Sequence, residues 1–402
     1  MFLQKLTAWL LVVRLFFAAG FFLPGNQSRA DAIAKDETAA AGYALTQILL
    51  EKCYDPLRHN MHKHTDDKGL TYAWGAGSFL EAMADAYRLF LGDLRLRYDY
   101  ADALKRCMPH YLAKNETIET PGGPVSGVTY YNASAGNRGD YYYDDNAWIC
   151  IQLLFGYRNL GDASLLEAAK QNLAFLRTGW DDVLGGGIYW SASYESKNAC
   201  STAPVVIANL LYYQITGEEA YLAHAKEIYD WMNATLREND LFSDAIAVSD
   251  GGINHWKAAY NQATMIYAGS LLYEITGEEK YYDLTKRTVD ASMSLMFIET
   301  EAEDGSTDIT MRENPIYSSW CVGWLVRSYV KFYEVDPQKD TAAMDRTNAV
   351  LQKELATKDE DGLYDPYFCS GGANPEGYTS LLAQSGVASV LLNAAYYNTV
   401  LQ

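Results

Sequence analysis

The chain is 402 residues long, carries a net charge of −19 and contains 32 tyrosines and 9 tryptophans. A charge of that sign repels a polyphosphate backbone and argues against nucleic acid as a partner, while the length suits two domains or one large helical ring. Aromatic side chains at this density supply flat apolar faces with polar rims, which pack in a core and also stack on sugar rings.

Residues 1–30 read as a targeting segment. Lys5 gives a positive start, Leu15 to Leu23 form a short apolar run, and Ala30 and Ala32 offer a small-residue cleavage site. Arg14 interrupts the apolar stretch and argues against a spanning helix. The mature chain is expected to be secreted or extracytoplasmic, with no membrane span; an uncleaved N-terminal anchor is the alternative. The stretch Ala394 to Gln402 has no polar spacer and hydrophobic tail of the lipid-anchor kind.

From residue 35 onward the periodicity is helical. Leu211-Tyr-Tyr-Gln-Ile-Thr-Gly217-Glu-Glu echoes Leu272-Tyr-Glu-Ile-Thr-Gly277-Glu-Glu about 60 residues later. In each, Gly stops one helix and Glu-Glu starts the next. Weaker copies stand at Gly161-Asp162, Gly92-Asp93 and Asp336-Pro337. The pattern predicts helices near 36–53, 75–91, 96–113, 144–159, 164–178, 199–216, 219–237, 258–276, 279–297, 317–334, 339–356 and 377–399, or six hairpins.

Between hairpins lie connections longer than the usual ~2–8 residues: Gly69–Trp74, Pro121–Tyr143, Asp181–Asn198, Ser243–Ala258, Glu301–Pro315 and Asp359–Glu376. In a closed ring the short turns share one face and the long loops the other, and helices following long loops line the inside. The expected fold is an all-α (α/α)6 barrel over residues 35–402, with an open solenoid as runner-up.

Asp144 and Asp145 stand where the aromatic run Tyr141–Tyr143 turns into apolar sequence. That places them on the first turn of an inner helix, opening together into a hollow at the mouth. Like charges side by side repel, so one of a close pair tends to hold a proton. A protonated and an ionised carboxyl in proximity is what glycoside cleavage needs. Asp is also favoured at helix starts for capping alone. Trp74 and Tyr143 suit a sugar floor, and the amides of Asn261 and Gln262 offer donors and acceptors to hydroxyl groups. His255 reads as structural rather than as a base. No nucleophile elbow, P-loop or dinucleotide fingerprint is present. The six cysteines form no C-x-x-C pair and the six histidines show no metal spacing, so no metal or cofactor is expected and disulfide pairing stays open. Asn115, Asn132 and Asn233 begin glycosylation sequons.

Tyr142-Tyr-Asp144-Asp145-Asn146-Ala147-Trp148, Gly186-Gly-Ile-Tyr-Trp190 with Lys197-Asn198, and Tyr260-Asn261-Gln262 together resemble glycoside hydrolase family 76 over residues 40–399. The resemblance implies an (α/α)6 barrel and metal-free endo-cleavage of α-1,6-mannan with retention. It assigns Asp144 as nucleophile and Asp145 as acid/base, with carboxyls about 5–5.5 Å apart. Candidate substrate contacts are Trp74, Tyr143, Asn198, Asp250, Trp256, Tyr260, Asn261 and Gln262. Ala203 and Ala263 stand where the family often has Gly, which bears on subsite shape. The expected activity is an endo-α-1,6-mannanase, acting as a monomer on α-mannan polysaccharide or oligosaccharide. A mannoside transglycosylase acting on cell-wall glycan and a non-catalytic glycan-binding protein are the alternatives.

Overall fold

The computed structural model describes residues 24–114, 116–131, 135–137, 139–301, 305–312, 319–368 and 378–402. The apolar leader before residue 24, the sequon residues Asn115 and Asn132, and Cys369 lie outside them. Among the described residues thirteen α-helices follow one another: α1 (Pro24–Lys35), α2 (Glu37–Cys53), α3 (Ala73–Leu89), α4 (Leu94–Asp102), α5 (Tyr143–Leu160), α6 (Ala163–Arg177), α7 (Ala199–Thr216), α8 (Glu219–Thr235), α9 (Ala259–Thr276), α10 (Glu279–Met296), α11 (Ser319–Val335), α12 (Ala342–Leu355) and α13 (Leu381–Tyr396).

The helices α3, α5, α7, α9, α11 and α13 pack each on the next, and α13 packs back on α3, which closes the ring. α4, α6, α8, α10 and α12 each lie outside the inner helix that precedes them, while α2 packs on α13. The sixth hairpin is therefore assembled from the two ends of the chain. This is the expected (α/α)6 barrel. Inner helices are buried along most of their length: in α7 every residue from Ala199 to Tyr212 is buried, so no single apolar stripe marks the side that packs. The close crossing of α11 and α13 needs Gly386, where a Cβ would stand 2.2 Å from the Trp320 backbone nitrogen.

The short turns follow the capping logic read from sequence. Gly161, Gly217 and Gly277 end α5, α7 and α9 at φ 72°, 71° and 67°, each donating its N–H to a tyrosine carbonyl four residues back. Asp162 and Asp93 then cap the outer helices α6 and α4. The stretch predicted as one helix over 96–113 departs from this: α4 stops at Asp102 and continues as a π turn and a 3-10 turn containing Pro109. Pro109 has no N–H to extend an α-helix.

The long loops contain strands that helical periodicity cannot reveal. Ser196–Asn198, Ala245–Ala247 and Ile253–Asn254 form one antiparallel sheet, with Asn198 opposite Ala245 and Ala245 opposite Asn254. It ties the loops before α7 and α9 together, so neighbouring loops satisfy each other's backbone groups. α1 holds Ala30 and Ala32 of the read cleavage site and packs on α2 and the C-terminal turn. The five described cysteines are buried and unpaired with one another. Among the described residues no helix is long and apolar enough to cross a membrane.

Side chains pointing along the axis fall in layers, because each inner helix repeats at four or seven residues. Asp144 and Asp145 stand above Trp148 and Gln152 on α5, Trp74 above Glu81 and Asp85 on α3, and Trp320 above Trp324 and Arg327 on α11. At the short-turn end of the axis a cavity of about 610 Å³ opens, lined by Asp85, Arg158, Gln214, Glu274, Arg327 and Lys331 among others. It lies away from the acid pair. Its charges are already engaged, Lys331 with Glu274 and Glu334, Arg158 with Gln214, and Arg327 with Asp85.

Candidate active site

The acid pair sits on the first turn of α5, at the long-loop end of the ring. Local sequence holds that turn from two sides. Asn146 zips it to the preceding loop, accepting the Tyr130 N–H at 2.8 Å and donating to the Tyr130 carbonyl at 3.1 Å. The Tyr143 N–H bonds the Trp190 carbonyl at 2.9 Å.

Asp144 is half-buried. Its Oδ1 accepts the Asp145 N–H at 3.0 Å and its Oδ2 accepts the Trp190 indole N–H at 3.1 Å. The Cys200 thiol, on the first turn of α7, adds a third donor. Burial outweighs these donors and pushes the Asp144 acid up to about 6. Asp145 is 7% exposed, and its Oδ2 is buried without a hydrogen-bond partner among the described residues. Burial first and the Asp144 charge second hold its acid well above the ordinary carboxylate range. The two titrate as a pair. Of the two, Asp144, where the donors converge, is the better-stabilised carboxylate, and Asp145 holds its proton the more firmly. The expectation that both acids open alike into the hollow is thus met by Asp144 only. Adjacent helical residues point about 100° apart, so Asp145 is nearly sealed.

Trp190 reaches Asp144 because its loop is anchored. Lys197 is fully buried, and its ammonium donates to Asp181 Oδ1 at 2.6 Å and to the Val183 and Gly186 carbonyls at 2.7 Å. Gly186 and Gly187 adopt φ of 133° and 84° beneath Trp180 and Trp231, where any Cβ would collide with an indole. Gly186 and Gly187 are therefore a packing requirement, Gly185 answers a φ of 72° in open space, and Lys197 is the knot that closes the loop.

Below the acids lies an aromatic floor. Trp320 is packed against Trp74 at 5.2 Å, Trp148 at 5.0 Å and Tyr260 at 5.9 Å between ring centroids. Trp74 and Trp190 keep 38% and 42% of their surface exposed at the mouth, and half-buried Trp256 packs edge-on to Tyr260. Of the candidate contacts, Trp74, Trp256 and Tyr260 surround this hollow. Asn198 and Asn261 lie one layer behind it: Asn198 accepts from Ser196, and Asn261 donates to Asp244 at 3.3 Å.

Two of the sequence-derived contacts, Tyr143 and Gln262, are corrected. Tyr143 is fully buried and stacks on Phe175 at 4.7 Å, a core position. Gln262 is fully buried and spends its amide on both backbone groups of Phe242 and on the Ala258 carbonyl. Asp250 stabilises a hairpin tip by accepting the Gly252 N–H at 2.9 Å. His255 is at the surface beside Glu238.

Sequence reading missed Asp244, Cys200, Trp320 and the bond from Trp190. Asp244 bonds Asn254 and Asn261 and is a third carboxylate near the pair, its acid raised by burial. Nothing local in the sequence marks it, whereas Trp190 lay inside a quoted motif.

Comparisons with known proteins match this arrangement. The family model for glycosyl hydrolase family 76 matches residues 37–330. The mannan endo-1,6-alpha-mannosidase DCW1 of Saccharomyces cerevisiae is 29% identical over 141 residues, which is 32% of this chain and 30% of that protein. The family 76 mannosidase Bt3792 of Bacteroides thetaiotaomicron superposes with a TM-score of 0.78 at 21% identity, over 90% of this chain and 99% of that one. An inactive variant of the α-1,6-mannanase of Salegentibacter sp., with two consecutive aspartates changed to asparagine and α-1,6-mannotriose bound, superposes with a TM-score of 0.72 at 23% identity, over 89% and 99% of the two chains. With the family match extending over most of the barrel, this chain belongs to glycosyl hydrolase family 76.

Proposed function

We propose that the protein is a retaining endo-α-1,6-mannanase, with Asp144 as nucleophile and Asp145 as acid/base. The observation that carries this reading is the division of the pair into a donor-stabilised carboxylate and a buried, partnerless acid at the mouth of a ring. Ionised Asp144 attacks C1 of a mannoside; the C1–O bond breaks, and Asp145 gives its proton to the departing oxygen. Water then attacks C1, Asp145 takes the water's proton, and the Asp144 ester is released. The inactive Salegentibacter variant carries asparagine at two consecutive former aspartates and binds α-1,6-mannotriose, which supports both the pair and the linkage.

Trp74, Trp190 and Trp256 offer stacking faces to a neutral polymer, and the half-buried Asp244, held by Asn261 behind it, offers hydrogen bonds to its hydroxyls. The leader-like residues 1–30 support action outside the cytoplasm. The test is incubation with linear α-1,6-mannan, following reducing ends and the anomer first released. Internal cleavage with the α-anomer first is expected, and a fluorinated mannoside should label the peptide containing Asp144. A β-anomer would overturn retention, transfer to an added mannoside in place of water would make the protein a transglycosylase, and binding without turnover would end the hydrolase reading.

A further inference from the structure

We propose that Glu81, two helical turns beneath Trp74 on α3, is a positioning residue for the catalytic hollow and holds its indole floor by the ring N–H groups. This rests on the mannanase reading above and deepens it. Glu81 is 2% exposed and contacts no open surface of the mouth. Its Oε2 accepts the Trp320 indole N–H at 3.0 Å, and its Oε1 accepts those of Trp324 at 3.0 Å and the Gln152 amide at 3.1 Å. Arg327 stands 3.7 Å away as counter-charge and is itself bound to Asp85 at 2.6 Å. Three inner helices, α3, α5 and α11, therefore meet on one carboxylate.

The indole it holds is the hub of the floor. Trp320 touches Trp74, the exposed platform, and Trp148, one turn below the acids on α5. A shift of Trp320 moves both. An apolar residue of similar size would fill the Glu81 site with less desolvation, but it would leave two indole N–H groups unpaired in a dry interior. Glutamine also falls short. It has one oxygen for three donors, and its own amide hydrogens would face an N–H.

The experiment compares the full chain with Glu81→Gln, Trp320→Phe and the double variant, by steady-state kinetics on linear α-1,6-mannan and by near-UV circular dichroism. Glu81→Gln is expected to raise KM about tenfold or more, the equivalent of one lost buried hydrogen bond, with a smaller fall in kcat. Phenylalanine has no N–H to hold, so the double variant should lose less than the sum of the two single losses, the remainder coming from Trp324 and Gln152. The indole bands of Glu81→Gln should weaken while the far-UV spectrum stays unchanged. Additive losses in the double variant, or an unchanged KM in Glu81→Gln, would overturn the proposal. If the unmodified chain leaves mannan intact, the substrate reading fails by itself. Unchanged indole bands in Glu81→Gln would then still sink the positioning role, and weakened ones would support it.

Discussion

Replacing Asp144 by Asn should make the protein more stable at pH 8 and leave it nearly unchanged at pH 4. Burial holds the Asp144 acid at about 6, against about 3.9 for a free aspartate. In the unfolded chain the group ionises from about pH 4, whereas in the folded protein it keeps its proton until about pH 6. Over that interval the folded state binds more protons, so stability is lost as pH rises. Two pH units at about 1.4 kcal/mol each give about 3 kcal/mol, and solvent at the exposed edge trims this to about 2 kcal/mol. Asparagine does not titrate, yet it keeps an oxygen for one of the two N–H donors. Removing the charge also relieves Asp145, which acts in the same direction. Thermal unfolding of both proteins at pH 4, 6 and 8 should show a gap that opens to a few degrees, while turnover is lost. A gap constant in pH, or an Asn variant less stable at pH 8, would refute burial as the force acting on this acid.

In kinetics, kcat/KM for mannan should rise through about pH 6 as the pair loses its first proton, and fall again at higher pH as it loses the second, which burial and the Asp144 charge hold upward. Asp145→Asn should cut the rate by about 10²–10⁴ and remove the falling limb, checked by a pH profile of the variant. Lys197→Met should free the loop that carries Trp190, costing about 3 kcal/mol in urea unfolding. It should also move the acid limb upward, because a hydrogen bond to the carboxylate is lost. Gly386→Ala should cost about 1–3 kcal/mol from overpacking against the Trp320 backbone, with lower activity in the folded fraction.

The ring was legible in the sequence because its boundaries are local events. A glycine in the left-handed region followed by acidic residues marks three of the short turns, at Gly161, Gly217 and Gly277. The acid pair was legible for the same reason. The lining of the hollow was less so. Inner helices are buried along most of their length, so periodicity does not say which face looks inward, and Tyr143 proved to be core while its neighbour Tyr142 packs on Trp190. Asp244 and Trp190 arrive from loops whose path depends on pairing with other loops. Glu81 left a signal that went unused: a charge inside the otherwise apolar stretch Phe79-Leu80-Glu81-Ala82-Met83 is expensive unless something buried needs it.

That two adjacent residues supply opposite chemical roles follows from their place on the helix. Residues four apart share a face and would meet one environment, so their acids would titrate alike. Neighbours diverge by about 100°, which leaves Asp144 among N–H donors and gives Asp145 a drier setting at the same mouth, 7% exposed. The first turn adds its own bias, since the exposed N–H groups of the helix start favour an anion there. The difference survives only while the space beneath stays dry, for water at Asp145 would let it ionise at ordinary pH. Dryness depends on the Trp148–Trp320 contact and on the carboxylate of Glu81 that holds Trp320. The buried charge on α3 and the acid on α5 are in this sense one device, and a substitution at either should be read in the pH dependence of the other.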